Sequence, residues 1–208
     1  MIFDWIQRIR HAKGYGVHSP FAFNFITNVV YNKYWYYAFN DLECVLLNNH
    51  IYVVSSRLYH LSYRLIQYFK PKSVLELGSG NGINTLYICH SEYVESCDCF
   101  EKDPEKVSLA EKILGDIDKD INFVDVLKSN KRYDSIFINI EECEVNKEKL
   151  FELSNKDTFW VVYGIKSKES KMFWKSLVKD ERVIISFDIR DIGIVLLDET
   201  FNKRNYLI

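Results

Sequence analysis

Residues Ser73 to Gly82, S-V-L-E-L-G-S-G-N-G, constrain this chain more than any other stretch. Val74, Leu75 and Leu77 form an apolar run after Pro71, as a strand inside a parallel sheet requires, because both of its faces are covered. Gly78, Gly80 and Gly82 follow at once, spaced two apart. With no Cβ in the way, the backbone there can adopt positive φ and approach a ligand closely. Asn84 and Thr85 then open a helical pattern that Leu86, Cys89 and His90 continue at steps of three and four residues. Strand, loop and helix make the first unit of a doubly wound α/β fold.

The segment Glu76-Leu77-Gly78-Ser79-Gly80-Asn81-Gly82 resembles motif I of the class I S-adenosylmethionine-dependent methyltransferases, an acidic residue followed by G-x-G-x-G. Dinucleotide-binding dehydrogenases also carry a three-glycine loop, but their third glycine lies three residues after the second, where this chain has Ile83. The resemblance implies that Glu76 faces the amino end of a methionine moiety and that Gly78, Ser79, Gly80 and Gly82 cradle S-adenosylmethionine. Glu101 lies 19 residues beyond Gly82, at the end of an expected second strand (Tyr93 to Phe100). An acid there matches the residue that grips ribose hydroxyls, with Lys102 beside it, because a carboxylate accepts two hydroxyl protons at once. Asp103-Pro104 reads separately as a helix cap followed by a first-turn proline, opening a helix to about Gly115.

The rest of the expected domain follows from the same resemblance. Ile121 to Val124 is a short third strand closed by Asp125-Val126, the pair that in this family meets the adenine amine and ring nitrogen. Tyr133 to Ile140 is similar to the fourth strand of small-molecule O-methyltransferases of the catechol type, and Asn139 stands where their metal-dependent members have an aspartate. Tyr163-Gly164 stands where they have Asp-Asn after the fifth strand, Phe159 to Val162. Magnesium needs hard oxygen ligands, so no bound metal is expected. Asn139 is assigned instead to the acceptor or the methionine end of the cofactor. A helix from Ser167 to Val178 and two strands, Arg182 to Phe187 and Gly193 to Leu197, complete a Rossmann-like class I methyltransferase fold. Its sheet is expected to be seven-stranded and mostly parallel, with an antiparallel C-terminal hairpin, over residues 71–208.

Residues 1–70 form a helical N-terminal extension in this reading. Ile2, Trp5, Ile6 and Ile9 alternate with Arg8 and Arg10 at helical spacing, which suits a helix docking on its own domain rather than a membrane anchor. Gly14 and Gly16 break that pattern. Ser19 and Pro20 are placed as N-cap and first residue of a helix to about Tyr31. The aromatic run Tyr31, Tyr34, Trp35, Tyr36 and Tyr37 reads equally as packing or as the wall of an acceptor pocket. A further helix, Ser55 to Phe69, directs Leu58, Leu61, Leu65 and Phe69 inward and stops before Pro71. This extension is expected to be the lid that selects the acceptor.

Composition narrows the function. The chain has 208 residues with 27 Lys plus Arg against 29 Asp plus Glu, so no basic excess points to nucleic acid. No apolar run reaches bilayer length, and the first residues lack a signal peptide's order, so no membrane partner and a cytoplasmic location are expected. Cys44, Cys89, Cys97, Cys99 and Cys143 are read as reduced, with Cys97 and Cys99 filling the core. The expected activity is methyl transfer from S-adenosylmethionine to oxygen or nitrogen of a small molecule, without metal. His18 is the nearest candidate for a base. The competing expectation is a cofactor-binding partner protein that does not catalyse. Oligomeric state does not follow from the sequence.

Overall fold

The computed structural model describes Arg8, residues 16–127 and residues 130–208. The expected N-terminal amphipathic helix, with Ile2, Trp5, Ile6, Ile9 and Arg10, and part of the turn from Val126 to Arg132 lie outside the described residues. The chain divides into two compact units, Met1–Asn32 with Asn130–Ile208, and Lys33–Ser129.

The unit of residues 33–129 contains α2 (Tyr37–Asn48), α3 (Arg57–Phe69), β1 (Ser73–Leu77), α4 (Ile83–Cys89), β2 (Ser96–Phe100), α5 (Pro104–Leu114) and β3 (Asp120–Val124). Strands β1, β2 and β3 run parallel in the order β3-β2-β1. Their register aligns Leu77 with Phe100 and Phe100 with Val124. Residues Gly78, Glu101 and Asp125 therefore leave the sheet side by side, each one position past an aligned strand end. β1 is buried along Val74 to Leu77, as its apolar run predicts. β2 begins three residues later than expected, at Ser96.

Helices α2 to α5 share one core made of Phe39, Leu42, Leu46, Tyr63, Leu86, Tyr87, Ala110, Ile113 and Leu114. On α3 the buried side chains are Leu61, Ser62, Tyr63, Leu65 and Ile66, while Leu58 and Phe69 are only half-buried. Lys70 ends α3 in the left-handed conformation (φ 54°), one residue before Pro71. Helix α2 is absent from the sequence expectation. Its buried residues Phe39, Leu42 and Leu46 keep helical spacing, but no capping side chain marks its start.

The other unit contains α1 (Pro20–Phe25), which runs on as a π-turn (Ile26–Val30), then β4 (Tyr133–Asn139), α6 (Lys147–Glu152), β5 (Ser154–Tyr163), α7 (Lys168–Lys179), β6 (Ile185–Asp188), β7 (Ile192–Leu196) and β8 (Arg204–Leu207). The Ser19 hydroxyl accepts from the Ala22 amide at 3.3 Å, the N-cap that the sequence predicts. Here the order is β4-β5-β7-β6-β8, with β4 parallel to β5 and β7 antiparallel to both β5 and β6. The antiparallel hairpin is thus present.

Strand count is the difference from expectation: the described residues hold eight strands, not seven. The extra one is β8, which pairs parallel with β6 along the edge. A four-residue polar-apolar segment, R-N-Y-L, carries too little pattern to announce itself. β5 is also longer than expected, because its polar first half pairs Ser154 with Tyr133 across an irregularity before the apolar register resumes at Phe159. Gly193 on β7 is fixed by its neighbour, since a Cβ there would lie 2.4 Å from the Trp174 ring.

Candidate functional site

The glycine loop takes the shape its sequence implies. Gly78, Gly80 and Gly82 all have positive φ, at 73°, 57° and 74°. Their roles then separate. A Cβ on Gly82 would sit 2.7 Å from Ala110 Cβ and 3.1 Å from Ala110 Cα, so this glycine lets α4 close onto α5. A Cβ on Gly80 would meet nothing within 4 Å. Gly80 thus borders open space, where a backbone can meet a ligand.

Glu101 turns toward this loop. Its Oε2 accepts from the Gly80 amide at 2.9 Å, and its Oε1 accepts from the amides of Lys102 (2.9 Å) and Asp103 (3.0 Å). Gly78 donates to the Phe100 carbonyl at 2.8 Å, which ties the loop to the end of β2. Asp103 caps α5 by accepting from Glu105 at 3.0 Å, so Glu101 and Asp103 hold the two separate positions that the sequence suggests. Lys102, Asp125 and Val126 are exposed at the same edge.

Glu76 is fully buried. Thr85 Oγ1 donates to its Oε2 at 2.6 Å and Asn84 Nδ2 donates to its Oε1 at 2.8 Å. These two residues occupy the first turn of α4, so the carboxylate fixes that turn against the end of β1. Sequence reasoning treated Asn84 and Thr85 only as the start of a helix. The available signal was two polar side chains placed directly after the last loop glycine. Two buried polar atoms remain without partners here, Ser79 Oγ and Asn84 Oδ1. Buried polar atoms are nearly always paired, so a pair of orphans beside an open loop is an informative exception.

Near these residues burial holds several tyrosine and cysteine side chains in their neutral forms. Burial and the charge of Glu76 raise the pKa of Tyr59, and burial with Glu43 and Tyr59 pushes Tyr87 up to about 12. Cys97 and Cys99 are fully buried on β2, 3.8 Å apart. The hydrogen bond with Cys89 is the main cause raising Cys97, the one with Cys97 is the main cause raising Cys99, and burial adds to both. These thiols are protonated packing. His60 stacks on Phe39 with centroids 3.9 Å apart, and burial lowers its pKa. Of the aromatic run, Trp35 and Tyr36 pack edge-on against Phe39 and Tyr63, while Tyr34, Tyr37 and much of Trp35 are exposed.

Asn139 and His18 belong to the other unit. Asn139 is half-buried at the end of β4, where its Oδ1 accepts from the Glu141 amide at 3.3 Å. Gly164 (φ 79°) faces it, and a Cβ there would come within 3.2 Å of that oxygen. His18 is exposed and lines a cavity with β8. Among the described residues no group of three or more His, Cys, Asp or Glu is arranged to hold a metal ion, and no helix is long and apolar enough to cross a membrane.

The parallel strands, the loop after β1 and the antiparallel hairpin together define the Rossmann-like fold of class I methyltransferases. Solved structures with this fold include a methyltransferase from Geobacter sulfurreducens, with a TM-score of 0.61 at 16% identity over 77% of this chain and 88% of that one. An O-methyltransferase from Bacillus cereus in complex with S-adenosylhomocysteine gives 0.59 at 16% identity, over 77% and 91%. The O-methyltransferase TomG from Streptomyces achromogenes, in complex with S-adenosylmethionine, gives 0.53 at 13% identity, over 83% and 96%. No protein-family model matches the chain, and no curated protein matches it in sequence.

Proposed function

We propose that this chain is an S-adenosylmethionine-dependent methyltransferase that acts on oxygen or nitrogen of a small molecule, without a metal, in the cytoplasm. One observation carries the reading. Beside Gly80, which opens on free space, Ser79 Oγ and Asn84 Oδ1 are buried without partners. Elsewhere His60 Nε2, Ser62 Oγ and Ser135 Oγ are also buried without partners, so it is the open space beside Gly80 that sets these two atoms apart. The Bacillus cereus and Streptomyces structures with this fold hold S-adenosylhomocysteine and S-adenosylmethionine, which supports the same ligand class here.

In this reading Gly78, Ser79, Gly80 and Gly82 form the cradle, and Glu101, with Lys102 beside it, receives the ribose. A carboxylate offers about four acceptor positions. Three backbone amides already occupy Glu101, so one sugar hydroxyl fits directly and a second takes the position that Gly80 releases. Asp125 and Val126 are assigned to the adenine. Glu76 is assigned to the methionine amino group, acting with Asn84, whose unpaired Oδ1 is an acceptor of the kind an ammonium requires. Asn139 is assigned to the acceptor or the methionine end. The cofactor itself supplies an electrophilic methyl group, so the chain's residues have to hold, align and exclude water.

The helical segment of residues 1–70 is proposed as the lid that selects the acceptor. Cutting away residues 1–50 would remove Phe39, Leu42 and Leu46 from the core, so the exposed aromatics give a cleaner test. In a reaction found by screening phenols and amines for S-adenosylhomocysteine release, Tyr34→Ala with Tyr37→Ala raises acceptor KM and leaves cofactor affinity alone. An unchanged KM rejects the lid.

Calorimetric titration tests the central proposal. S-adenosylmethionine and S-adenosylhomocysteine both bind the wild type, and Glu101→Gln weakens each by about 1 to 3 kcal/mol. No binding of either compound would overturn it. The second reading is a cofactor-binding protein that does not catalyse. Full cofactor affinity with no methyl transfer across the panel would select that reading.

A further inference from the structure

The unit that carries β8 has a second cavity, of about 410 Å³, whose lining includes His18, Ser19, Ile185, Phe201, Arg204 and Asn205. That volume falls in the range of small-molecule sites. Its chemistry is one-sided. Among the described residues that line it there is no carboxylate, although the chain as a whole has more acids than bases. No side-chain hydrogen bond or ion pair of Arg204 or His18 is found among the described residues, and a histidine ring carries at least one N–H in either protonation state.

The smaller groups are biased the same way. Ser19 Oγ accepts from Ala22, which leaves its O–H to donate elsewhere. Arg204 N donates to Ile184 O on the β6 side, and strand alternation therefore turns the Asn205 backbone N–H to the open edge of β8. Glu199, the nearest acid in sequence, is exposed, and Asp198 before it is engaged by the amide and hydroxyl of Thr200 at 2.9 and 2.7 Å. Ile185, Phe201 and Tyr206 add apolar wall, and Phe201 is braced by Phe21 at 4.4 Å between centroids.

We propose that this cavity binds a small organic anion, its phosphate or carboxylate on Arg204 and His18 and its apolar body against Phe201 and Ile185. A guanidinium presents a planar fork suited to either group. This site is independent of the glycine loop, and it gives the His18-Ser19-Pro20-Phe21 segment a role other than that of a base.

The probes are phenyl phosphate and benzoate, with inorganic phosphate and acetate as their bare counterparts, followed by backbone amide shifts and calorimetry on the full chain. The aryl anions are expected to saturate, to bind more tightly than the bare ions, and to shift amides near His18 and from Thr200 to Tyr206. The stronger of the two aryl anions identifies the head group. Arg204→Gln, an exposed edge position, should lower their affinity by about tenfold. S-adenosylmethionine affinity should stay unchanged in that variant, so failure here and failure of the proposed function are separable. Saturation by neither aryl anion, or equal affinity in Arg204→Gln with its fold intact by circular dichroism, would overturn the proposal.

Discussion

The loop after β1 and the hairpin of β6 and β7 are both built around a buried or partly buried carboxylate, and they treat polar atoms in opposite ways. Around Asp188 on β6 the acceptors are closed off. Arg8 donates to its Oδ1 at 2.8 Å and to its carbonyl at 2.7 Å, and Trp174 Nε1 donates to Oδ2 at 3.2 Å. Around Glu76 the carboxylate is engaged just as well, yet Asn84, which holds it, keeps an unpaired oxygen, and the Ser79 hydroxyl has no partner. The difference separates a joint from a seat. Where every donor meets an acceptor, the fold needs nothing more, whereas unpaired buried atoms cost stability that a ligand can restore.

Glycine substitutions break or sharpen that comparison, and the largest effect is expected at Gly82. Alanine there must hold a left-handed conformation, at about 1 to 2 kcal/mol, and its Cβ meets Ala110 backbone and side chain inside van der Waals contact. Overpacking adds about 1 to 3 kcal/mol. Gly82→Ala should therefore lower Tm by roughly 10 °C in a thermal melt. Gly193→Ala comes next, at about 2 kcal/mol, because only the Trp174 ring resists it. Gly80→Ala carries only the conformational cost, about 1 kcal/mol, since the space beside it is open. It should instead show its effect as lost S-adenosylmethionine affinity. If Gly80→Ala melts as low as Gly82→Ala, the loop is a joint like the hairpin and the comparison fails.

The same contrast explains what could be read from the sequence. β1, the glycine loop, α4, α5 and the hairpin were legible because each has a local signature: an apolar run, a glycine spacing, a cap with proline after it, a β-branched stretch. Glu101 was legible through its spacing from Gly82. Helix α2 was not, because its start at Tyr37 has no cap. Helix α6 and the first half of β5 were not, because both are polar and are held by partners distant in sequence, as in the Thr158 hydroxyl donating to the Tyr133 carbonyl. The orphan atoms of Ser79 and Asn84 were beyond reach for a different reason. Whether a polar atom has a partner depends on what folds over it, and no local pattern encodes that.

The smallest predicted effect lies at another closed junction, before β6. The Asp180 carboxylate is nearly covered and accepts from Lys147 at 2.8 Å and from Arg182 Nε at 2.9 Å, while the Arg182 guanidinium also reaches Glu148 and lies 3.6 Å over the Phe151 ring. The Arg182 hydrogen bonds, with Lys147 adding, hold the Asp180 carboxyl far below the usual carboxylate range. A group depressed in the folded state contributes stability that is complete above its unfolded pKa, near 4, and is lost progressively as the pH falls on through its much lower folded pKa. Arg182 is half exposed, and exposed ion pairs contribute little, so the whole effect is about 1 kcal/mol. Asp180→Asn should lower Tm by a few degrees at pH 7 and by somewhat less at pH 3, where the wild type has lost part of the same contribution. An equal loss at both pH values would mean that Asp180 acts through the shape of its hydrogen bonds rather than its charge.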